Sequence, residues 1–236
     1  MKEFFKVNEI FGSFQGEGLN LGKPCTFIRL QGCNLSCTFC DEHKKQDYML
    51  MDLVSIVENV NKLKNKLVVI TGGEPTLHLS LIYLIKDLLD AEYLVQLETN
   101  GSMPICAKEF NSTEMFDILK AMHITISPKM VGTPSVGVQY KIPHPPYHID
   151  KFFTPSIITE VKIVVDKDLR NKYVVDLIAR FRDVDIPIWL QPEGNKAEAY
   201  KQTLALIPIL KANILHNRFD NCIRIGIQAH KVGEYK

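Results

Sequence analysis

The chain has 236 residues, of which 46% are hydrophobic and 23% charged, and these proportions at this length are typical of one large globular domain. Its 28 basic and 27 acidic residues give a formal net charge of +1, so no excess of positive charge favours direct binding of nucleic acid. The sequence has no apolar stretch near the ~18 to 20 residues of a membrane span and no apolar signal region at its start. We therefore expect a cytoplasmic protein without a membrane partner.

Seven short apolar runs, rich in β-branched residues, predict β-strands. Between them, apolar residues at helical spacing follow Asp52 and Ser80, which predicts two capped helices, and a third such stripe runs from Tyr173 to Phe181. This alternation is typical of βα units around a parallel sheet. The seven runs are Cys25 to Leu30, Leu67 to Thr71, Tyr93 to Glu98, Ile124 to Ser127, Glu160 to Val165, Pro187 to Gln191 and Cys222 to Ile227.

The fold class predicted from this pattern is α/β, an incomplete or distorted (β/α) barrel with mostly parallel strands. A complete eight-unit barrel takes about 250 residues, and this chain has fewer clear repeats. We expect a single domain over residues 1–236, because no linker, internal repeat or low-complexity tract divides it. Residues 128–155 form an irregular loop that holds half of the 12 prolines. This loop is either a lid or partner-contacting flap, or an insertion without chemical consequence.

Three of the six cysteines lie within eight residues, as Cys33, Cys37 and Cys40 in the spacing C-x3-C-x2-C. In a reducing compartment this crowding indicates metal binding or catalysis rather than disulfides. Two interpretations fit the spacing. One is a structural zinc site completed by His43, and the other is a four-iron cluster with one open iron, held by a loop over residues 33–41. The other cysteines, Cys25, Cys106 and Cys222, are predicted to be small buried residues.

A second motif, Gly72-Gly73-Glu74-Pro75, directly follows a predicted strand, where paired glycines allow close approach of backbone to a ligand. With both motifs in this order, the sequence resembles the radical S-adenosylmethionine (SAM) superfamily. The resemblance implies that the cysteine loop binds a 4Fe-4S cluster, that the amino and carboxylate groups of SAM chelate the open iron, and that the Gly-Gly-Glu-Pro segment receives the amino group. The bound cofactors then supply a 5′-deoxyadenosyl radical.

The opening segment from Asn8 to Gly18, within a predicted loop over residues 8–24, is rich in glycine. Its glycines lack the spacing of a dinucleotide-binding fingerprint, and no strand is predicted before them. Together with the run from Phe27 to Cys33, this segment resembles the 7-carboxy-7-deazaguanine synthase family over about the first hundred residues. The resemblance implies conversion of 6-carboxy-5,6,7,8-tetrahydropterin to 7-carboxy-7-deazaguanine with loss of ammonia, in queuosine and 7-deazapurine biosynthesis. It further implies that SAM is regenerated, that the protein is a homodimer, and that it uses an electron donor such as a flavodoxin or ferredoxin.

The same resemblance assigns roles to individual residues, most of which follow predicted strands, where the active sites of barrels form. Cys33, Cys37 and Cys40 would ligate the cluster. The residues implied to contact SAM are Gly73, Glu74, Gly101, Ser127, Lys129 and Gln191, together with Phe39 and Asp41 beside the cluster. The residues implied to hold the pterin are Phe14, Gln15, Gly16, Glu17, Arg29, Thr99 and His230.

Three of the substrate assignments have alternatives that the sequence leaves open. The Arg29 guanidinium suits the substrate carboxylate, but the residue also fits a salt bridge at the end of a strand. The side chains of Gln15 and Glu17 suit the donor and acceptor edge of a pterin, although Glu17 also fits a solvated turn. His230 is equally consistent with a structural histidine.

Glu42 departs from the family pattern, in which a Thr or Ser two residues after the last cluster cysteine helps to coordinate Mg²⁺. A carboxylate is a hard oxygen ligand that suits Mg²⁺, so we expect the ion to bind beside Glu42. The longer charged side chain also fits repulsion of the substrate carboxylate or replacement of the metal.

Two other functions compete with this interpretation. A radical SAM enzyme with another substrate, such as a glycyl-radical activase, shares the cysteine loop but lacks the opening segment with Gln15 and Glu17. A non-catalytic zinc or iron–sulfur binding module leaves the segment from Gly72 to Pro75 without a role.

Overall fold

The computed structural model describes residues 3–35, 37, 39–40, 47–105, 109–129, 156–166, 169, 171–181, 185–213 and 222–232. The chain divides into two compact units. The first unit comprises residues 1–14 and 23–158, and the second comprises residues 15–22 and 159–236. A short stretch of the opening segment therefore packs with the C-terminal part of the chain.

The first unit is built on six strands. In the order of the sheet they are β3, β1, β2, β4, β5 and β6. β1 pairs in an antiparallel direction with both β2 and β3, whereas β2, β4, β5 and β6 are parallel. The strands are β1 (Phe4–Phe14), β2 (Pro24–Leu30), β3 (Met49–Asp52), β4 (Leu67–Gly72), β5 (Leu94–Thr99) and β6 (His123–Ile126).

Three helices accompany these strands in the part of the unit that the structure describes: α1 (Leu53–Leu63), α2 (Leu81–Asp90) and α3 (Ser112–Lys120). α1 begins after Asp52, whose side chain accepts a hydrogen bond from the Ser55 amide, as predicted. α3 begins with a capping box, in which Asn111 and Glu114 each satisfy the backbone of the other. α2 buries five apolar residues along one stripe, and this stripe forms much of the core of the unit.

The second unit contains three parallel strands, β7 (Glu160–Val165), β8 (Ile188–Pro192) and β9 (Ile223–Ile225), with β8 in the middle. Its helices are α4 (Asn171–Arg180) and α5 (Ala197–Asn213). The segment from the opening of the chain contributes one 3-10 turn, Gly18–Asn20. Within the described ranges, no helix has the length and apolar character needed to cross a membrane.

All seven predicted strands are confirmed, and so is the α/β class with mostly parallel strands. The expectation that no strand precedes the glycines of the opening segment was wrong, because β1 ends at Phe14. β1 escaped prediction because it mixes polar residues and a glycine with apolar ones, and β3 because it has only four residues. Residues 130–155 of the proline-rich loop lie outside the described residues.

We expect Asp52→Ala to lower the free energy of unfolding by about 1 kcal/mol, because the first turn of α1 loses its side-chain cap. Asp52→Asn keeps an oxygen that can accept the bond from the Ser55 amide, so it should be close to wild type. Chemical denaturation of the three proteins tests this, and equal losses in both variants would contradict a capping role.

Candidate functional site

The cysteine loop follows β2 in the first unit. The Cys40 amide donates a hydrogen bond to the Cys37 carbonyl at 3.2 Å, and the Leu35 amide donates to the Cys33 sulfur at 3.4 Å. Partial burial raises the pKa of Cys33 and raises that of Cys37 to about 11. Neighbouring thiols raise both pKa values further, and the Lys129 ammonium opposes the shift. The three thiols therefore lie close enough to influence one another.

Cys33, Cys37 and Cys40 fit a cluster with one open iron, because they supply three thiolates. A tetrahedral zinc site needs its ligands on one point, whereas a 4Fe-4S cluster offers a separate iron to each thiolate. Asp41, Glu42 and His43 lie outside the described residues.

A network of three polar side chains ties the cysteine loop to the loop after β5. The Asn100 amide group donates to Asn34 at 3.1 Å, and Asn34 donates to the Ser102 hydroxyl at 2.8 Å. The Ser102 backbone amide closes the network by donating to the Asn100 side chain at 2.8 Å. Because Asn34 directly follows Cys33, the network fixes the start of the cysteine loop.

The Gly-Gly turn at the end of β4 packs directly on the chain before Cys33. The Gly73 amide donates to the Leu30 carbonyl at 2.9 Å, and the Glu74 amide donates to the Gly32 carbonyl at 2.7 Å. A Cβ on Gly73 would lie 1.9 Å from the Gly32 oxygen, so only glycine allows this approach. The fold thus brings the predicted cluster and SAM motifs side by side.

Glu74 is 1% exposed, and its carboxylate accepts four hydrogen bonds. Oε1 accepts from the Thr76 amide at 3.0 Å, from the Thr76 hydroxyl at 2.6 Å and from the Thr99 hydroxyl at 2.6 Å. Oε2 accepts from the Asn100 amide at 2.7 Å. Thr99, which the resemblance assigns to the pterin, is therefore in direct contact with a residue assigned to SAM.

The ends of β5 and β6 position three further residues assigned to SAM. The Gly101 amide donates to the Thr99 hydroxyl at 3.0 Å, with Gly101 at a left-handed φ of 73°. The Ser127 amide donates to the Thr99 carbonyl at 2.7 Å, and the Lys129 ammonium donates to the Ser127 hydroxyl. Gly101, Ser127 and Lys129 therefore gather around Thr99.

Arg29 on β2 has a carboxylate partner within the sheet. Its Nη1 lies 3.3 Å from Oε1 of Glu9 on β1, and its guanidinium lies 5.1 Å from the centre of the Phe11 ring. The ion pair is one of the two alternatives that the sequence left open. Phe14 at the end of β1 is 57% exposed, and Phe39 in the cysteine loop is half-buried.

The opening segment contributes a buried carboxylate to the second unit. Glu17 forms an ion pair through Oε2 with Lys162 on β7, and its Oε1 accepts from the Gln228 amide group at 2.7 Å. The Gln15 side chain accepts from the Glu17 backbone amide at 3.3 Å. Glu17 and Gln15 are 9% and 3% exposed, so the alternative of a solvated turn residue does not hold for Glu17.

The electrostatic surroundings keep Glu17 ionised. Burial by itself would raise the pKa of this carboxyl, but the Lys162 ammonium, the hydrogen bonds from Lys162 and Gln228, and the charge of His230 lower it to about 2. Glu17 is therefore an anion at any pH near neutrality.

The same segment packs tightly against two other parts of the second unit. A Cβ on Gly16 would lie 2.4 Å from Nδ1 of His230, and the Ala229 amide donates to the Gly16 carbonyl at 2.9 Å. Glu160 accepts hydrogen bonds from the Leu19 amide at 2.9 Å and from the Trp189 indole at 2.7 Å. His230 thus lies beside Gly16 and close enough to Glu17 for its charge to act on that carboxyl.

Gln191, at the end of β8, is 1% exposed, and neither side-chain polar atom has a hydrogen-bond partner among the described residues. Its Oε1 occupies the space over Gly226, where a Cβ would lie 2.3 Å away. Because buried amides are normally bonded, the orphaned amide fits a residue whose partner is a ligand.

Sequence analysis missed Lys162, Gln228 and Glu160 as parts of this arrangement. Gln228 lies 211 residues from Glu17 along the chain, so no local pattern connects them. The sequence offered one usable signal. A lysine and a glutamate inside the apolar run of β7 are anomalous, because buried charges need partners.

Comparison with known proteins agrees with this geometry. The family profile described as the radical SAM superfamily matches residues 27–140. The 7-carboxy-7-deazaguanine synthase of Aquifex aeolicus is 36% identical over 233 residues, which cover 98% of this chain and 94% of that protein. The protein of the same name from Clostridium acetobutylicum is 31% identical, with 97% and 95% coverage.

A solved structure shares the fold. The crystal structure of QueE from Escherichia coli aligns over 96% of this chain and 95% of its own, with a TM-score of 0.65 and 22% identity. This likeness shows a shared fold and agrees with the predicted α/β class with mostly parallel strands. The profile match and the full-length relatives together show that this is a radical SAM protein. More narrowly, the chain belongs to the 7-carboxy-7-deazaguanine synthase family.

We expect Gly73→Ala to lose most of its iron after reconstitution. The new methyl group would collide with the Gly32 carbonyl and displace the adjacent Cys33. Gly12→Ala is the matched control, because the nearest atom to its Cβ is the end of the Asn65 side chain at 3.3 Å. Iron content per chain measures the effect, and full loading of Gly73→Ala would show that the close approach is unimportant.

We expect Gln191→Met to weaken SAM binding about tenfold, by loss of hydrogen bonds to the ligand, without lowering the stability of the ligand-free protein. Gln202→Met should lower the stability of the ligand-free protein and leave SAM affinity unchanged. Gln202 donates within the protein, to the Leu169 carbonyl at 2.9 Å and to Asn171 at 3.0 Å. Equilibrium binding and thermal unfolding of both variants test the pair. Destabilised Gln191→Met with normal SAM affinity would refute a ligand role.

Proposed function

We propose that this chain converts 6-carboxy-5,6,7,8-tetrahydropterin to 7-carboxy-7-deazaguanine with loss of ammonia, as a radical SAM lyase of 7-deazapurine biosynthesis. The observation that carries the proposal is the similarity to 7-carboxy-7-deazaguanine synthases over nearly the whole chain. The buried polar groups of both units support it, since they are of the kinds that these ligands require.

The cofactors of the superfamily are a 4Fe-4S cluster and SAM, which when bound supply the radical chemistry. In this chain Cys33, Cys37 and Cys40 would hold the cluster. Three thiolates leave one iron open, which is the position that SAM needs. Asn34 and the Gly73 turn fix the loop on which these ligands lie, so the site is held in place before the cofactors bind.

The first unit supplies most of the proposed SAM contacts. Gly73 and Glu74 would receive the amino group, because Glu74 has neutral donors as its hydrogen-bond partners and therefore attracts a cation. Phe39 and Asp41 would lie beside the cluster. The family resemblance supports Gly101, Ser127, Lys129 and Gln191 as the remaining SAM contacts.

The proposed pterin contacts include the buried groups of the second unit. Each oxygen of Glu17 retains acceptor capacity beyond its bond to Gln228 or Lys162, so the carboxylate can accept two adjacent N–H bonds from the aminopyrimidinone edge of a pterin. Gln15, Gly16 and His230 would lie around the same ring. Thr99 has donated its hydroxyl hydrogen to Glu74, so it would act toward substrate as an acceptor.

Phe14 and Arg29 of the first unit would also contact the substrate. The Arg29 guanidinium is a planar array of N–H donors whose geometry matches a carboxylate, which supports a contact with the substrate carboxylate.

The remaining parts of the proposal concern partners and conditions. Reduction of the cluster requires an electron donor such as a flavodoxin or ferredoxin, and the family resemblance supports a homodimer. Free thiols at Cys33, Cys37 and Cys40 favour a reducing, cytoplasmic compartment. Mg²⁺ would bind beside Glu42, whose carboxylate is a suitable hard ligand.

The decisive experiment is an anaerobic assay of the reconstituted protein with dithionite, SAM and 6-carboxytetrahydropterin, with and without Mg²⁺, followed by mass spectrometry. We expect carboxydeazaguanine without stoichiometric loss of SAM, faster with added Mg²⁺ and slower with a chelator. Cys37→Ala should form neither cluster nor product. Cys25→Ala, which alters a buried cysteine in β2, should retain both.

Three outcomes would contradict separate parts of the proposal. Cleavage of SAM with the pterin unchanged would contradict the proposed substrate and favour another radical SAM reaction. If zinc occupied the three cysteines and no cluster could be reconstituted, the proposal that the protein is a radical SAM enzyme would be contradicted. A turnover rate that changes neither with added Mg²⁺ nor with a chelator would contradict the proposed Mg²⁺ site beside Glu42.

A further inference from the structure

Lys162 is a charged residue in an unusual place. It lies within β7 between Val161 and Ile163, is 7% exposed, and forms an ion pair with Glu17. Taking a lysine and a glutamate out of water is costly, and an apolar pair of similar volume is often at least as stable. Stability alone therefore gives a weak reason for the ion pair, and a role in ligand binding gives a better one.

The other carboxylate oxygen of Glu17, Oε1, is also held by a hydrogen bond. Gln228 donates to it through its amide group, while the Gln228 side-chain oxygen accepts from the Gly194 amide at 2.7 Å. Asn195 holds the Gln228 backbone from both sides, by donating to its carbonyl at 2.7 Å and accepting from its amide at 3.0 Å. Gly194 and Asn195 adopt left-handed φ values of 59° and 55° to do so, conformations that glycine and asparagine tolerate best.

From this arrangement we infer that Lys162 is a positioning residue for the pterin, acting through Glu17, with Gln228 as its neutral counterpart. The ammonium holds the Glu17 carboxylate ionised and in one orientation. The remaining lone pairs of Glu17 then face the paired N–H donors of the substrate ring. This inference rests on the proposed function, because it takes Glu17 as a pterin contact.

The charges around Glu17 determine what the loss of Lys162 would do. The charged or titratable groups that act on Glu17 are Lys162 from β7 and His230 from the turn after β9. Without the ammonium, burial would raise the pKa of Glu17 toward neutrality, and His230 would oppose this only in part. A protonated carboxyl carries an O–H donor in place of one of the two acceptor oxygens that the paired N–H donors of the ring require, so substrate affinity would fall as the pH falls.

The experiment compares reconstituted wild type, Lys162→Met, Lys162→Arg and Lys196→Met in the pterin assay from pH 5.5 to 8. We expect Lys162→Met to raise KM for the pterin at least about tenfold, with a smaller effect on kcat. The ratio of its KM to that of wild type should grow as the pH falls. Lys162→Arg should keep a nearly constant ratio, because it retains the charge.

Lys196→Met is the matched control, since Lys196 is an exposed lysine of the same unit that also pairs with a glutamate, Glu193, at 2.7 Å. It should resemble wild type throughout. SAM affinity should be unchanged in every variant, which separates a pterin effect from a general loss of structure. Gln228→Leu should raise KM for the pterin without making the ratio pH-dependent, because the ammonium remains.

The possible outcomes distinguish failure of this inference from failure of the proposed function. Turnover by wild type with a pH-independent KM ratio for Lys162→Met would overturn the role of Lys162 and leave the function standing. Equal loss in Lys162→Met and Lys162→Arg, or a parallel loss of SAM affinity, would show that Lys162 is merely structural. No turnover of the pterin by wild type would overturn the function and the inference together.

Discussion

The first unit depends on one buried carboxylate. A carboxylate removed from water must be fully hydrogen-bonded, and Glu74 meets this requirement with donors from its own turn and from Thr99 and Asn100 at the end of β5. The Glu74 amide is bonded in turn to Gly32, next to Cys33. The need to satisfy one side chain therefore fixes the turn after β4 relative to the cysteine loop and the loop after β5. A cofactor that bridges these loops would find its contacts already arranged.

The second unit satisfies its buried carboxylate in a different way, and the difference has chemical consequences. The donors to Glu74 are hydroxyls and amides, so its negative charge is not cancelled, and such a group attracts a cation such as the ammonium of SAM. Glu17 has the Lys162 ammonium as a partner, so the pair is neutral overall and suits an uncharged hydrogen-bonding ring. Two buried carboxylates thus differ in the charge of their partners, which agrees with the proposed assignment of Glu74 to SAM and of Glu17 to the pterin.

Local patterns explain what the sequence could predict. The parallel strands are continuous apolar runs, and the cysteine and Gly-Gly-Glu-Pro motifs are each contiguous in sequence. The strands and the motifs could therefore be predicted from the sequence. β1 was missed because its polar residues, such as Glu9, are stabilised by partners on the next strand, and α5 because Pro208 lies inside it. The pairing of Glu17 with Lys162 spans 145 residues. Such a contact exists only after folding, and its one trace is a lysine in an apolar strand.

The buried residues of the site differ in how many of their polar atoms have hydrogen-bond partners within the protein. Thr99 donates its hydroxyl hydrogen to Glu74 and accepts from Gly101, so most of its capacity maintains the loops. Gln191 is equally buried, yet its amide has no partner among the described residues, and the absence of a side chain at Gly226 leaves room for it. A buried amide without partners lowers stability, so its presence is best explained by a ligand that completes it. The family resemblance groups Thr99 and Gln191 as ligand contacts, but their hydrogen bonds differ: Thr99 bonds to two neighbouring loops, whereas the Gln191 amide has no partner among the described residues.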